Sequence, residues 1–296
     1  GTEYRFLKKK QAGEIGLQLL PTDRITNKDR WLARVSHTFR LSSNNSFGLS
    51  AIRVSDNNYF ADFGASVLAA SQRILPATVQ INGNFQGWQY LTMFQKYQVL
   101  QDPGAPILPP YEWSPRIRFS NNRILKINKL DIDASGIFEM THFTHPSMAE
   151  GTRIVGDANF SSPLLIGGVR LMPQFGMHLT SYSHSKNGSQ ELTQNRFGIG
   201  DSLIGVYANN VGHTPSYTRI LPSISIEASS ILERGTEFKE KKYTHTLEPK
   251  LFYAFTPFTD QSNYPVFDSS SITSSLAQLL SENSFFGSDR IADKNY

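Results

Sequence analysis

The stretch from Leu130 to Thr141 constrains this chain most. Leu130, Ile132, Ala134, Phe138 and Met140 alternate with Asp131, Asp133, Ser135, Glu139 and Thr141, the period of two that separates the faces of a β-strand. Packing both faces into a dry core would take carboxylates out of water with nothing to replace it, a cost of several kcal/mol per group. One face must therefore meet an apolar medium and the other water.

The same two-sided pattern recurs along the chain. Trp31, Ala33, Val35, Phe39 and Leu41 alternate with Arg34, Ser36, Thr38 and Arg40, and Val79, Ile81 and Phe85 with Thr78, Gln80, Asn82 and Asn84. Trp113, Ile117 and Phe119 oppose Ser114, Arg116 and Arg118, and residues 151–160, 171–183 and 220–229 repeat the arrangement. Two strands are expected at 4–10 and 13–20, reversing at Gln11-Ala12, with others at 47–54 and 90–100 and a weaker one at 66–74. Asn187-Gly188 reads as a strand turn, and residues 190–216 stay open between another strand and a long mobile loop. The prolines between Gln101 and Pro110 mark a stiff loop, because proline fixes φ and withholds a ladder donor. About a dozen strands result, many near the ~10 residues that a tilted membrane-crossing strand needs.

Composition agrees with this reading. Charged residues are 18% and aromatic residues 12%, where soluble enzymes run nearer a quarter charged. No apolar run approaches the ~18 residues of a membrane helix, whereas a barrel strand needs an apolar residue only at every second position. The +4 formal charge is scattered apart from Lys8-Lys9-Lys10 and Lys239 with Lys241-Lys242, so no nucleic-acid footprint stands out. With no cysteine, neither disulfides nor cysteine metal sites arise within the chain.

Chemical motifs are weak. Gly200-Asp201-Ser202-Leu203 spells the nucleophile motif of an esterase family, but no Asp-x-x-His follows to supply a base, and the flanking glycines suit a turn. His142 and His145 have a helical metal-ligand spacing, yet in a strand they point to opposite faces and Pro146 opposes a helix. Asp260 and Asp268 read as loop carboxylates rather than as a glycosidase acid and base. No catalytic residue, cofactor or metal is expected.

The carboxy-terminal stretch is the most distinctive. Leu247, Leu251, Tyr253 and Phe255 alternate with Thr246, Glu248, Lys250 and Thr256, a single strand ending at Pro257. The polar, turn-rich segment Asp260–Asp268 reads as part of a long surface loop over 258–296, with a short apolar patch at Leu276–Leu280. The blocks Thr246-Leu247-Glu248-Pro249-Lys250-Leu251-Phe252-Tyr253, Asp260-Gln261-Ser262, Val266-Phe267-Asp268, Gln278-Leu279 and Gly287-Ser288-Asp289-Arg290-Ile291 together resemble the signature of LptD, the outer-membrane lipopolysaccharide assembly family. Tyr97-Gln98-Val99-Leu100-Gln101-Asp102-Pro103, Arg219-Ile220-Leu221-Pro222 and Leu232-Glu233-Arg234-Gly235 resemble it as well.

The resemblance implies an all-β fold, with residues 1–296 as an internal segment of one antiparallel transmembrane β-barrel in the bacterial outer membrane. It implies lipopolysaccharide as cargo, an LptE-like lipoprotein plug, and a periplasmic bridge reached through a jelly-roll domain outside this segment. The signature residues it points to are Leu247, Glu248, Pro249, Asp260, Gln261, Ser262, Asp268, Asp289 and Arg290. A porin or other channel would share the alternation, and a soluble secreted β-rich binding domain is the reading from another class.

Overall fold

A computed structural model of the chain describes residues 1–64, 66–128, 130–184, 216–238, 241–271 and 283–295. The esterase-like tetrapeptide at 200–203, the Asn187-Gly188 turn, the patch at Leu276–Leu280 and the Gln278-Leu279 block lie outside the described residues. So does the unassigned region 190–216, except for Ser216.

The described residues fold almost entirely as antiparallel β-structure. Two compact units divide the chain, one of Gly1–Phe119, Glu139–Arg153 and His184–Gln190, the other of Ser120–Phe138, Ile154–Ser183 and Glu191–Tyr296. The first unit opens with a meander of β1 (Thr2–Lys8), β2 (Gln11–Leu20), β3 (Arg30–Arg40), β4 (Asn45–Val54), β5 (Ile74–Phe85) and β6 (Trp88–Val99), with short helices α1 (Tyr59–Phe63) and α2 (Val67–Ala70) between β4 and β5. Strands β7 (Glu112–Ile127), β8 (Leu130–Thr144) and β9 (Gly151–Ser161) contribute residues to each unit. The second unit continues with β10 (Leu164–Ile166), β11 (Val169–His184) and β12 (Ser216–Ser230), then a hairpin of β13 (Leu232–Phe238) and β14 (Lys241–Leu247), and then β15 (Lys250–Thr256). Two-residue strands β16 (Ser270–Ser271), β17 (Phe285–Phe286) and β18 (Lys294–Asn295) follow. The 14-stranded sheet has the order β1-β2-β3-β4-β5-β6-β7-β8-β9-β11-β12-β15-β18, with β10 on β11.

The tight turns obey local stereochemistry. Between β5 and β6, Gln86 and Gly87 have φ of 52° and 83°, and between β10 and β11, Gly167 and Gly168 have 58° and 82°. Positive φ at both central residues matches a hairpin turn to the right-handed twist of its strands.

Burial is inverted relative to a water-soluble protein. On β12 and β15 of the second unit, Ile224 and Leu251 are 54% and 72% exposed, while Ser225 and Thr256 on the opposite face are 6% and 5% exposed. In the first unit Ile15, Leu17, Leu19, Ile81 and Phe94 are likewise exposed, whereas Glu139, Thr141 and Arg153 are buried. The first unit also has an apolar cluster of Leu32, Val54, Tyr59, Phe60, Leu75 and Leu100.

Several expectations change. The first hairpin turns at Lys9-Lys10 rather than Gln11-Ala12, since Lys8 pairs with Gln11, which leaves consecutive ammonium groups in a solvated reversal. Residues 67–70 are helical rather than extended, as alanine favours helix over strand. The strand expected through 246–256 breaks at Glu248-Pro249 into β14 and β15, because proline has no N–H for the ladder. The segment after Pro257 is not simply a surface loop, because Phe267 and Asp289 are buried in it.

Candidate functional site: a polar face and the segment folded onto it

In the first unit, Glu139 of β8 gathers three arginines. Its Oε2 accepts from Arg116 at 2.7 Å and Arg118 at 3.4 Å on β7, and its Oε1 from Arg153 on β9 at 3.4 Å and Thr141 at 3.2 Å. The guanidinium of Arg116 stacks 4.7 Å from the Trp113 ring and that of Arg153 4.9 Å from Phe143. Alternation alone puts Arg116, Arg118, Glu139, Thr141 and Arg153 at positions facing away from the exposed apolar residues.

At the entrance to β3, buried Arg30 spans three carboxylates, two in loops and one on α1. It reaches Asp23 at 3.4 Å, Asp56 at 2.9 Å and Asp62 at 2.7 Å, and lies 4.5 Å from the Phe63 ring. The Ile25 amide, with Thr26 and Arg30, holds the Asp23 carboxyl below its ordinary value. Burial opposes the same shift at Asp56, but bonds from Arg30 and Ser55 outweigh it. Arg30 thereby ties the connections before β3 and after β4 over the apolar cluster.

His145, off the end of β8, is held as one tautomer. Its Nδ1 accepts from the Ser147 and Met148 amides at 3.0 and 2.9 Å, so Nε2 carries the proton and donates to the Pro109 carbonyl at 2.9 Å. Tyr111 packs against the ring at a tilt of 55° and donates to the Ala149 carbonyl at 3.0 Å. Burial pushes the imidazole below its ordinary value, against the Pro109 carbonyl, Glu112 and Glu150. The unfolded chain therefore takes up this proton first as pH falls. The stabilisation is full above the unfolded value of about 6.5 and is lost as pH drops through the lower folded value. Proteolysis at 145–150 in the full-length protein should accelerate on acidification below about pH 6.5, and His145→Gln should flatten that dependence; an unchanged pH profile in the variant would refute the assignment.

In the second unit the segment after β15 folds onto the polar face of the sheet around Arg219 of β12. Arg219 is 2% exposed. It donates to the Asp289 and Ser288 carbonyls at 2.9 and 2.8 Å, to Thr180 Oγ1 at 3.1 Å and to Gln261 Oε1, and faces the Tyr264 ring at 5.5 Å. Asp289 accepts from the Tyr182 hydroxyl at 3.1 Å and from the amides of Phe267 and Asp268 at 2.8 and 2.9 Å. Gln261 also clasps Ile291 in both directions, and Arg290 donates to the Tyr264 carbonyl at 2.8 Å.

Of the sequence-predicted residues, Gln261, Asp268, Asp289 and Arg290 thus share one network. Asp260 and Ser262 form a turn beside it, where the Ser262 amide holds the Asp260 carboxyl below its ordinary value. Leu247, Glu248 and Pro249 stand elsewhere, exposed at the junction of β14 and β15.

A cavity of about 220 Å³ in the second unit is lined by Asp157, Asn159, His178, Ser223, Thr256 and Asn283, among others. His178 Nδ1 meets Asp157 Oδ1, and its Nε2 meets Thr180 Oγ1 at 2.7 Å. The lining mixes these hydroxyl, amide, imidazole and carboxylate groups with apolar Met177, Leu221 and Ile291. His142 bonds Thr152 at 2.9 Å and does not join His145, and among the described residues no three metal-ligating side chains cluster. Sequence reasoning missed Asp157, His178, Thr180 and Tyr182, whose only signal was membership of the polar set on their strands.

A family model described as LPS transport system D, LptD, matches residues 28–296. The chain is 30% identical over 300 residues to an LPS-assembly protein LptD of Ralstonia nicotianae, covering 100% of this chain and 34% of that protein. It is 32% identical over 299 residues to the LPS-assembly protein LptD of Nitrosospira multiformis, covering 99% and 30%. With the Polaromonas protein of the same name it shares 32% identity over 313 residues, covering 99% and 34%. The chain spans about a third of the length of these relatives. With the family model covering nearly all of the chain, this polar-faced sheet and the segment folded on it belong to the LptD family.

Proposed function

We propose that this chain forms part of the wall of an outer-membrane β-barrel that delivers lipopolysaccharide to the outer leaflet. The observation that carries the reading is the inverted burial: isoleucine, leucine and phenylalanine side chains face outward while arginine, glutamate, threonine and aspartate are buried on the other face. Such a wall suits hydrocarbon on one side and a hydrated passage on the other. Strands β2 to β9, with β11 and β12, have 10 to 16 residues, enough to cross at the usual tilt.

The work is physical rather than covalent. The inward hydroxyl, amide and charged groups replace water around sugars and phosphates, while the outward face keeps the wall in lipid. The working assembly would include an LptE-like plug and a periplasmic bridge that hands over the lipopolysaccharide. Depleting the full-length protein should abolish surface lipopolysaccharide while precursors accumulate inside; normal surface delivery after depletion would reject transport and favour a passive channel.

A further inference from the structure

Among the described residues the hairpin of β13 and β14 pairs only with itself, yet it prolongs the wall in unbroken register. Ser229 faces Lys250, the Ser230 amide donates to the Pro249 carbonyl at 3.2 Å, Leu232 faces Leu247 and Thr236 faces Tyr243. Because the register does not slip across Ile231 and Glu248, the faces of β12 and β15 run straight into the hairpin. Exposed Ile220, Ile224 and Ile226 on β12, with Leu251, Tyr253 and Phe255 on β15, therefore share their side with Leu232, Arg234, Lys241, Tyr243, His245 and Leu247. The acidic residues Glu233 and Glu237 fall on the opposite side, with Lys242. Every described side chain of the hairpin is exposed.

An isolated two-stranded hairpin with two open edges is marginal in water, so something covers it. From Ile220 to Leu232 the strand advances ~40 Å at ~3.3 Å per residue. At a tilt of ~45° this rises ~28 Å, close to the hydrocarbon thickness of a bilayer. Leu232 and Leu247 then end the apolar band, and Arg234, Tyr243, His245 and Lys241 arrive at headgroup depth. Tyrosine is suited to that boundary, and the two permanent cations on this side match lipid phosphates.

We propose that the outward side of the β13–β14 hairpin docks on an anionic glycerophospholipid leaflet, with Arg234 and Lys241 as the phosphate-binding groups. The proposal rests on the barrel reading. The hairpin leaves the end of the second unit that carries the Gly167-Gly168 turn, opposite the long segment after Thr256. Short turns of such barrels face the periplasm, which makes the inner, phospholipid leaflet the occupant.

The test is hydrogen exchange of the full-length protein carrying this chain, in phosphatidylcholine vesicles with and without phosphatidylglycerol. The expected result is slower exchange across 232–247 with phosphatidylglycerol, by roughly thirtyfold for two cations at about 1 kcal/mol each near an anionic surface. Salt should reverse it. Arg234→Ser with Lys241→Ser should lose the effect, and Glu233→Ser with Glu237→Ser should keep it. Equal exchange in both vesicles, with 220–226 and 251–255 still protected, overturns the docking and leaves the barrel standing. Protection that appears only on adding a soluble periplasmic protein overturns it in favour of strand addition at the hairpin edge. Loss of protection in 220–226 as well overturns the barrel reading itself. The wild-type comparison decides the matter even if a variant fails to fold.

Discussion

Replacing Arg219 by methionine should release the segment after Thr256 from the sheet and make it cleavable by protease at least a hundredfold faster than in the parent. Methionine fills much of the same volume, so little packing is lost. What goes is the fork of donors that satisfies the Ser288 and Asp289 carbonyls, Gln261 and Thr180 together. Removing one member of a buried charged network costs about 3–5 kcal/mol, and each 1.4 kcal/mol is about tenfold in an equilibrium. Arg219→Lys should fall between, since one ammonium cannot reproduce the planar fork. Time courses of cleavage within 257–271 in the full-length protein measure this directly. A methionine variant as resistant as the parent would mean that Asp289 and Tyr182 hold the segment without Arg219. If the segment stands in the passage, the same variant should also admit large antibiotics through the outer membrane.

The wall of this protein is legible in its sequence because alternation is imposed by two solvents at once. Leu130 to Thr141 could satisfy both media in only one way, and β8 occupies 130–144. The carboxy-terminal segment is less legible for a physical reason. Asp260, Gln261, Asp268 and Asp289 look like surface residues when a core is assumed to be apolar. Asp260 and Asp268 do stay exposed and Gln261 is half-buried, but Asp289 is fully buried on the polar side of the sheet, where it finds the Tyr182 hydroxyl and the Phe267 and Asp268 amides. The partner on the wall, Arg219, lies about 40 residues from Gln261 and 70 from Asp289, and no local period links them. Alternation puts Glu139 on the polar face, but its convergence with Arg116, Arg118 and Arg153 follows from strand register, which one strand's pattern does not encode.

That convergence sets the second large effect. Glu139→Ala should lower the heat resistance of the folded full-length protein on a semi-native gel, through a loss of about 3–5 kcal/mol for breaking a buried ion pair. The contributions are unequal. Arg118 is partly exposed and Arg116 less so, so solvent screens their mutual repulsion, whereas Arg153 is buried with Glu139 and loses a counterion that water cannot replace. Glu139→Gln keeps an acceptor and the volume but not the charge, and should lose less. Arg153→Met in the Glu139→Ala background should recover part of the loss, because it removes a buried charge that Glu139 no longer balances. Additive losses in that double variant would place the energy in Arg116 and Arg118, on the half-solvated side of the cluster. An unshifted transition in Glu139→Ala would show that water enters this face freely enough to solvate every arginine, making the wall here a wet surface rather than a packed polar interior.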